Sequence, residues 1–408
     1  MPMPAATSTL HAAAARPPLG MILLLGAMTA VGAMSIDLYL PSLPTMGRTF
    51  DASPGAVGAT LSAFLVGMGI GQLVHGPLSD RRGRRGPLLV GLAVYVIASV
   101  AAALAPSIAA LIAARFLQGL GGCAALVINR AVVRDRYATQ DAARIFSLLL
   151  LVMGVAPVLA PLAGSGLLAV FDWRAIFWVL ALFGGAVGLA VQFGLPETRT
   201  LAAREAVRAV HPARVYWNLL RNRRLVGHLI AIAFSGASLF VYVASSSLLF
   251  ISDFGLTPTQ FSGLFATNAI AFIASAQVNR LVLDRFVSSH IAGRALVVAF
   301  VVGTAFALTS WTVGAGLWVS FGFCSLTMAT YGFAQSNLTA ETLGIDAAHS
   351  GSTAALSGTA SFGVGAVAAS IATALHDGTA RPPATVIAVC ATVALCAYFG
   401  LARGRARA

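Results

Sequence analysis

The chain has 408 residues, of which 58% are hydrophobic and only 10% charged. A soluble domain carries about 25% charged residues, so composition excludes a large soluble globule and leaves a helical membrane protein. The formal net charge of +13 would point to nucleic acid in a soluble protein, but every basic residue is Arg, set in short gaps between apolar runs; that is membrane topology, and nucleic acid is not an expected partner.

In chain order, residues 1–18 form an Ala/Pro-rich lead. The apolar run after it is too long for a signal-peptide core and predicts an uncleaved first helix. Apolar runs near 19–41, 54–77, 87–105, 107–131, 144–170 and 174–195 predict six helices, followed by a polar linker at 196–224. Six more lie near 225–251, 259–281, 293–313, 315–340, 350–375 and 383–402, before a tail at 403–408. The expected fold is thus all-α, with about twelve transmembrane helices in two six-helix bundles, 19–195 and 225–402. Asp80-Arg81 after the second run and Asp284-Arg285 after the eighth lie half a chain apart, as a parallel repeat would place them. With the N-terminus inside, nearly all loop arginines fall on the cytoplasmic side and only Arg48, Arg174 and Arg381 outside, so both termini are expected in the cytoplasm.

The first run ends Ser35-Ile36-Asp37-Leu38-Tyr39-Leu40-Pro41, and Asp37 closes a stripe of Gly26, Ala30 and Ala33 on one helical face. An acid within the membrane is a functional candidate by default; the alternative is an interfacial role near the outer surface. Gly76-Pro77-Leu78-Ser79-Asp80-Arg81-Arg82-Gly83-Arg84-Arg85 follows the second run. Its glycines permit a tight turn and its arginines suit an anionic lipid surface. Asp80 in this basic loop needs partners, for which Arg134 and the start of the eleventh helix are the candidates. In the fourth run Arg115, Gln118, Gly122, Ala125 and Asn129 share one polar, small-residue face. An Arg there costs at least about 2.5–3.5 kcal/mol unless it faces a cavity or partner, or snorkels to the outer surface. Asp37 and Arg115 lie at similar depth on the outer side, which places them within reach of each other as a buried pair. Gly154, Pro157, Pro161 and Gly164 share a face of the fifth run suited to close packing and kinking. Ser235, Ser238, Tyr242 and Ser245 form a hydroxyl face on the seventh. The cavity lining is expected to draw on Asp37, Gln118, Asn129, Ser238, Tyr242, Asn268 and Asn337.

These motifs together resemble the major facilitator superfamily. The run from Gly76 through Asp80, Arg81, Gly83, Arg84 and Arg85 resembles its signature loop, which implies a gating role for these residues and Arg134. The Arg115 motif resembles one tied to proton coupling, and Gly154, Pro157, Pro161 and Gly164 look like the motif of its antiporter branch. Asp-x-Tyr-Leu-Pro at Asp37 and Asp172-Trp173-Arg174 resemble the bicyclomycin and chloramphenicol resistance branch. The tenth helix departs from that pattern: no Pro stands shortly before Asn337.

The resemblance implies proton-coupled efflux of small drug-like molecules across a bacterial inner membrane, with Asp37 and Arg115 coupling the proton. The alternative within the class is a proton symporter importing a metabolite. No cofactor is expected, because a chain without lysine cannot complete a Walker-type phosphate loop; the proton gradient is the expected drive. The expected partners are substrate, protons and membrane lipids, with a functional monomer. The four cysteines lie within apolar runs without metal spacing and read as small buried residues, and the histidines form no pair with one another or with Glu in sequence.

Overall fold

A computed structural model describes residues 18–402 apart from 138, 201–211 and 347–348. The lead at 1–17 and the tail at 403–408 lie outside the described residues. Twelve helices among the described residues are long and apolar enough to cross a membrane. The first bundle holds α1 (Leu19–Asp37), α2 (Pro54–Arg82), α3 (Arg85–Ala103), α4 (Ile108–Arg136), α5 (Thr139–Leu168) and α6 (Arg174–Gly194). The second holds α7 (Arg223–Ser247), α8 (Pro258–Val282), α9 (Ser288–Thr312), α10 (Leu317–Ile345), α11 (Ser350–Ala374) and α12 (Arg381–Ala397).

Local chemistry sets several helix starts. Ser53 and Ser107 each accept a bond from the backbone N–H three residues on, at 3.3 Å. Asn222 caps α7, and Thr257 with Gln260 forms a reciprocal box with Pro258 at the first helical position of α8. The outward faces carry bare apolar side chains such as Ile97, Leu182 and Phe193, which only lipid would cover.

Five helices run past their expected bounds at the basic face, α2, α4 and α10 at their ends and α5 and α9 at their starts. Apolarity marks where the bilayer stops, but a helix continues while its polar end residues find partners. Thus α2 passes through Pro77 to Arg82, so Asp80 sits in a last helical turn and the loop shrinks to Gly83 and Arg84. The polar linker contains a short helix, Pro212–Leu220, and the first span bends at Leu40–Ser42 into a second helix, Leu43–Phe50. Of the cysteines, Cys123, Cys324 and Cys390 are buried, whereas Cys396 is exposed.

The bundles meet along two seams, α2 against α11 and α5 against α8. At the end opposite the basic loops, Gly55 lies against Ala374 and Gly58 against Thr373, so close that a Cβ on Gly58 would collide with the Thr373 side chain. Deeper in the same seam Thr359 Oγ1 donates to Gly69 O at 2.9 Å. In the other seam Ser262 Oγ donates to Pro161 O at 2.8 Å.

Candidate functional site

The basic loop holds an ion-pair cluster. Gly83 takes φ 96°, a left-handed conformation open to glycine, and this turns the chain sharply enough to drive Arg84 inward. Arg84 is 3% exposed. Its guanidinium donates to Asp80 Oδ1 and Asp135 Oδ2, both at 2.7 Å, and to Ser79 Oγ at 2.9 Å. Burial alone would make its charge easier to lose, but the two carboxylates outweigh it and hold the guanidinium above its ordinary pKa. Arg199 of the linker adds a second ion pair to Asp80 at 3.5 Å. Glu197 accepts the Arg84 backbone N–H at 2.9 Å and the Arg85 N–H at 3.3 Å, and the Arg85 side chain reaches Gln192 O.

The expected partners of Asp80 are therefore replaced. Arg134 is exposed, and among the described residues Asp80 pairs with Arg84 and Arg199, not with Arg134 or the start of α11. Asp135, one residue (about 100°) further round α4, faces the loop instead. Its signal in the sequence is the lone acid inside Arg134-Asp135-Arg136 at the basic face. Arg81 is half-buried, and Gly76 has open space around it.

Arg115 is 0% exposed, which rules out snorkelling. Its Nη1 donates to Gln118 Oε1 at 2.6 Å and its Nη2 to Ser35 O at 3.0 Å. The guanidinium carbon lies 4.2 Å from the Tyr39 ring centroid and 4.4 Å from that of Phe64, a cation–π cage. Gln118 passes the network on to Ser99 Oγ at 2.7 Å, and Asn129 Nδ2 donates to Leu25 O at 2.8 Å and Thr29 Oγ1 at 2.7 Å. Arg115 and Asn129 thus bind the polar face of α4 to α1, and Gln118 binds it to α3, inside the first bundle.

Asp37 is not paired with Arg115. Similar depth is not enough: Ser35 faces α4, and Asp37, two residues on, points about 200° away. Asp37 is 5% exposed and, among the described residues, forms no hydrogen bond or ion pair. It lies within electrostatic reach of Tyr39 in its own bundle and of Tyr242 on α7 in the other.

Tyr242 OH accepts from Asn268 Nδ2 at 2.9 Å, its ring stacks on Phe265 at 5.4 Å, and Asn268 in turn accepts from Ser325. Ser238 lines a small recess inside the second bundle with Ser235, Thr327 and Tyr331. Asn337 lies elsewhere, bonded to Asn279 at 2.8 Å and accepting from Ser288 at 2.9 Å where α8, α9 and α10 meet. On α5, a Cβ on Gly164 would collide with the Leu38 carbonyl, and one on Gly154 would sit 3.2 Å from Ile273 of α8. Pro161 offers its carbonyl to Ser262, whereas Pro157 is half-buried in the same helix. The glycine and proline face of α5 therefore serves both α1 and the second bundle.

Comparison with known proteins agrees with this architecture. An uncharacterized MFS-type transporter of Bacillus subtilis is 31% identical over 401 residues, covering 97% of this chain and 98% of that one. A bicyclomycin resistance protein homolog of Haemophilus influenzae is 29% identical over 380 residues, with coverage of 93% and 95%. Among solved structures, a D-xylose–proton symporter superposes with a TM-score of 0.71 at 14% identity, covering 92% of this chain and 96% of that one; at that identity the likeness shows the fold alone. The sequence model of the Major Facilitator Superfamily matches residues 25–373. With twelve membrane-length helices in two bundles, this chain belongs to that superfamily and is a multi-pass secondary transporter.

Proposed function

We propose that this transporter exports small drug-like molecules across the bacterial inner membrane in exchange for protons. One observation carries the reading: Asp37 is a buried acid in a membrane span that, among the described residues, has no counter-ion, within electrostatic reach of Tyr242 of the other bundle. A charge at that depth is costly, so such a group is retained for ion or substrate traffic. A carboxyl that meets water from one side, then from the other, takes its proton from the first and gives it to the second. The electrical drive is about 2.3 kcal/mol per charge per 100 mV, enough for roughly a fifty-fold gradient of cargo. Supporting the direction are relatives named for bicyclomycin resistance and, in Pseudomonas aeruginosa, chloramphenicol resistance, the latter 33% identical over 275 residues.

In this reading Arg115 does not trade charge with Asp37. It locks α4 to the α1 backbone and so sets the angle at which Asp37 meets the cavity. The Asp80–Arg84–Asp135 cluster binds α2, α4 and the linker into a unit that moves as one body, and the carrier works as a monomer.

The test is proteoliposomes holding a defined proton gradient, with proton movement recorded as chloramphenicol is added. Export by exchange predicts proton flux opposite to drug flux, and Asp37→Asn should abolish it. Flux of both in one direction would support the symport reading instead. Normal stoichiometry in Asp37→Asn would remove this carboxylate from the coupling site.

A further inference from the structure

The linker between the bundles carries an apolar surface that the described residues leave bare. Its helix, Pro212–Leu220, docks on the second bundle through two residues one turn apart. Leu219 is buried and Val215 half-buried against Leu225 and Leu229 of α7, Ile345 of α10 and Leu356 of α11. Tyr216, about 100° round from Val215, lies within electrostatic reach of Asp80 of the first bundle. Those contacts occupy two sides of the helix. Trp217 and Leu220 share the side turned away from Val215 and Leu219, and they are 61% and 46% exposed.

A large ring beside a large aliphatic side chain gains nothing from water and calls for a partner. Charge says of what kind. Arg214 and Arg221 flank Trp217 on the same face, and Arg223 and Arg224 follow at the start of α7; all four are exposed. The Arg221 guanidinium carbon lies 5.4 Å from the Trp217 ring centroid, so cation and aromatic present one joint surface. Among the described residues none of the four forms an ion pair, and no acid occurs from Pro212 to Arg224. Position then separates lipid from a cytosolic protein. Only Arg221 and Asn222 stand between the helix and Arg223, where the membrane-length span of α7 begins, and the docking partners Leu225 and Leu229 already belong to that span. The bare face is therefore held at the boundary of the bilayer. A ring that sinks below the headgroups while arginines hold the phosphates is the arrangement of helices lying in a membrane interface.

We propose that Arg214, Trp217, Leu220 and Arg221 form a binding surface for anionic phospholipid headgroups, with Arg223 and Arg224 extending its positive field. The lipid phosphodiester accepts charge-assisted hydrogen bonds from the guanidinium forks. A zwitterionic headgroup offers the same phosphate but adds an ammonium that the arginines repel, so the surface reads net charge. The linker, polar in sequence, is thereby fastened to the bilayer surface. The assignment rests on neither the direction of transport nor the identity of the cargo.

The experiment places the full-length protein in nanodiscs of phosphatidylcholine and phosphatidylglycerol in equal parts. In one preparation only the phosphatidylglycerol carries bromine on the acyl carbons just below the headgroup; in the other only the phosphatidylcholine does. The Trp217 signal is the emission of the native protein less that of Trp217→Phe, which cancels the other tryptophans. The expected result is quenching by both labels, with brominated phosphatidylglycerol about fivefold more effective, the preference gained by one arginine at an anionic surface. That excess should shrink toward parity in the double variant Arg214→Gln/Arg221→Gln, and in the native protein as salt is raised, because salt screens the headgroup attraction. The salt series needs no variant beyond Trp217→Phe, so the test stands even where the double variant does not accumulate. Equal quenching from the two lipids at low salt leaves a helix that touches the bilayer without reading its charge. Absence of quenching from either lipid puts the face in the cytosol, and a preference that survives both the double substitution and high salt takes the arginines out of it. Any of these three results overturns the proposal.

Discussion

Arg115 shows how one side chain can be both costly and indispensable. Its charge is buried, but two hydrogen bonds and two aromatic faces surround it. Truncation to alanine would strand Ser35 O and Gln118 and leave a void, a loss of about 3 kcal/mol or more. We expect Arg115→Ala to lower the thermal midpoint of the purified protein clearly, with Arg115→Lys recovering part, since an ammonium lacks the planar fork. An alanine variant as stable as the native protein would show that the cage carries no such load. The polar face from Arg115 to Asn129 was legible in sequence because helical spacing is a local property. The absence of an Arg115–Asp37 pair was not legible, because depth along a helix can be counted in residues whereas the angle toward a neighbour depends on packing. Asp135 was hidden for the same reason: Arg134 and Asp135 differ only in which way they face.

The helices as elements were the most legible feature, since twelve membrane-length apolar stretches can hardly be read otherwise. Their ends were not, because the basic-face extensions are polar helix stabilised by tertiary partners such as Glu197 and Arg84. An opposite-end contact of this kind joins the close of the α7 span to the α11–α12 turn, where His376 Nε2 meets Asp253 Oδ1 at 3.3 Å. The hydrogen bond to Asp253 raises the His376 pKa, and burial opposes it more weakly. A folded-state value above the unfolded one of about 6.5 means the stabilisation is complete below that pH and fades as pH rises through the folded value. The melting midpoint of the native protein should therefore fall relative to His376→Gln between roughly pH 6 and 8. A difference between the two that does not vary with pH would remove the ion pair as its cause.

At the scale of the whole molecule, the arginine distribution argues one orientation, with the basic loops and both termini in the cytoplasm. A reporter fused after α12 that is active only in the cytoplasm should be active, and one placed in the α1–α2 connection should be silent; the reverse pattern would invert the topology. The two-bundle plan could be read from the repeated Asp-Arg pair, as an offset survives in sequence even when packing does not. Which faces of the bundles touch could not, because glycine at the seams is indistinguishable from the glycine common in any membrane helix.

Those seams have a mechanical character of their own. Where Gly58 meets Thr373 the contact is small groups against small groups, and the Thr373 hydroxyl is already bonded to Ala369 O of its own helix at 3.0 Å. Ser262, which crosses the other seam, likewise keeps Pro258 O at 2.9 Å. Separating the bundles there would leave neither hydroxyl stranded in a medium that offers no replacement partner. It is a sliding joint with a light catch, the hydrogen bond from Thr359 to Gly69 O at 2.9 Å. Such a joint stores little energy in either position, so the resting posture of the protein falls to cargo, protons and the lateral pressure of the bilayer.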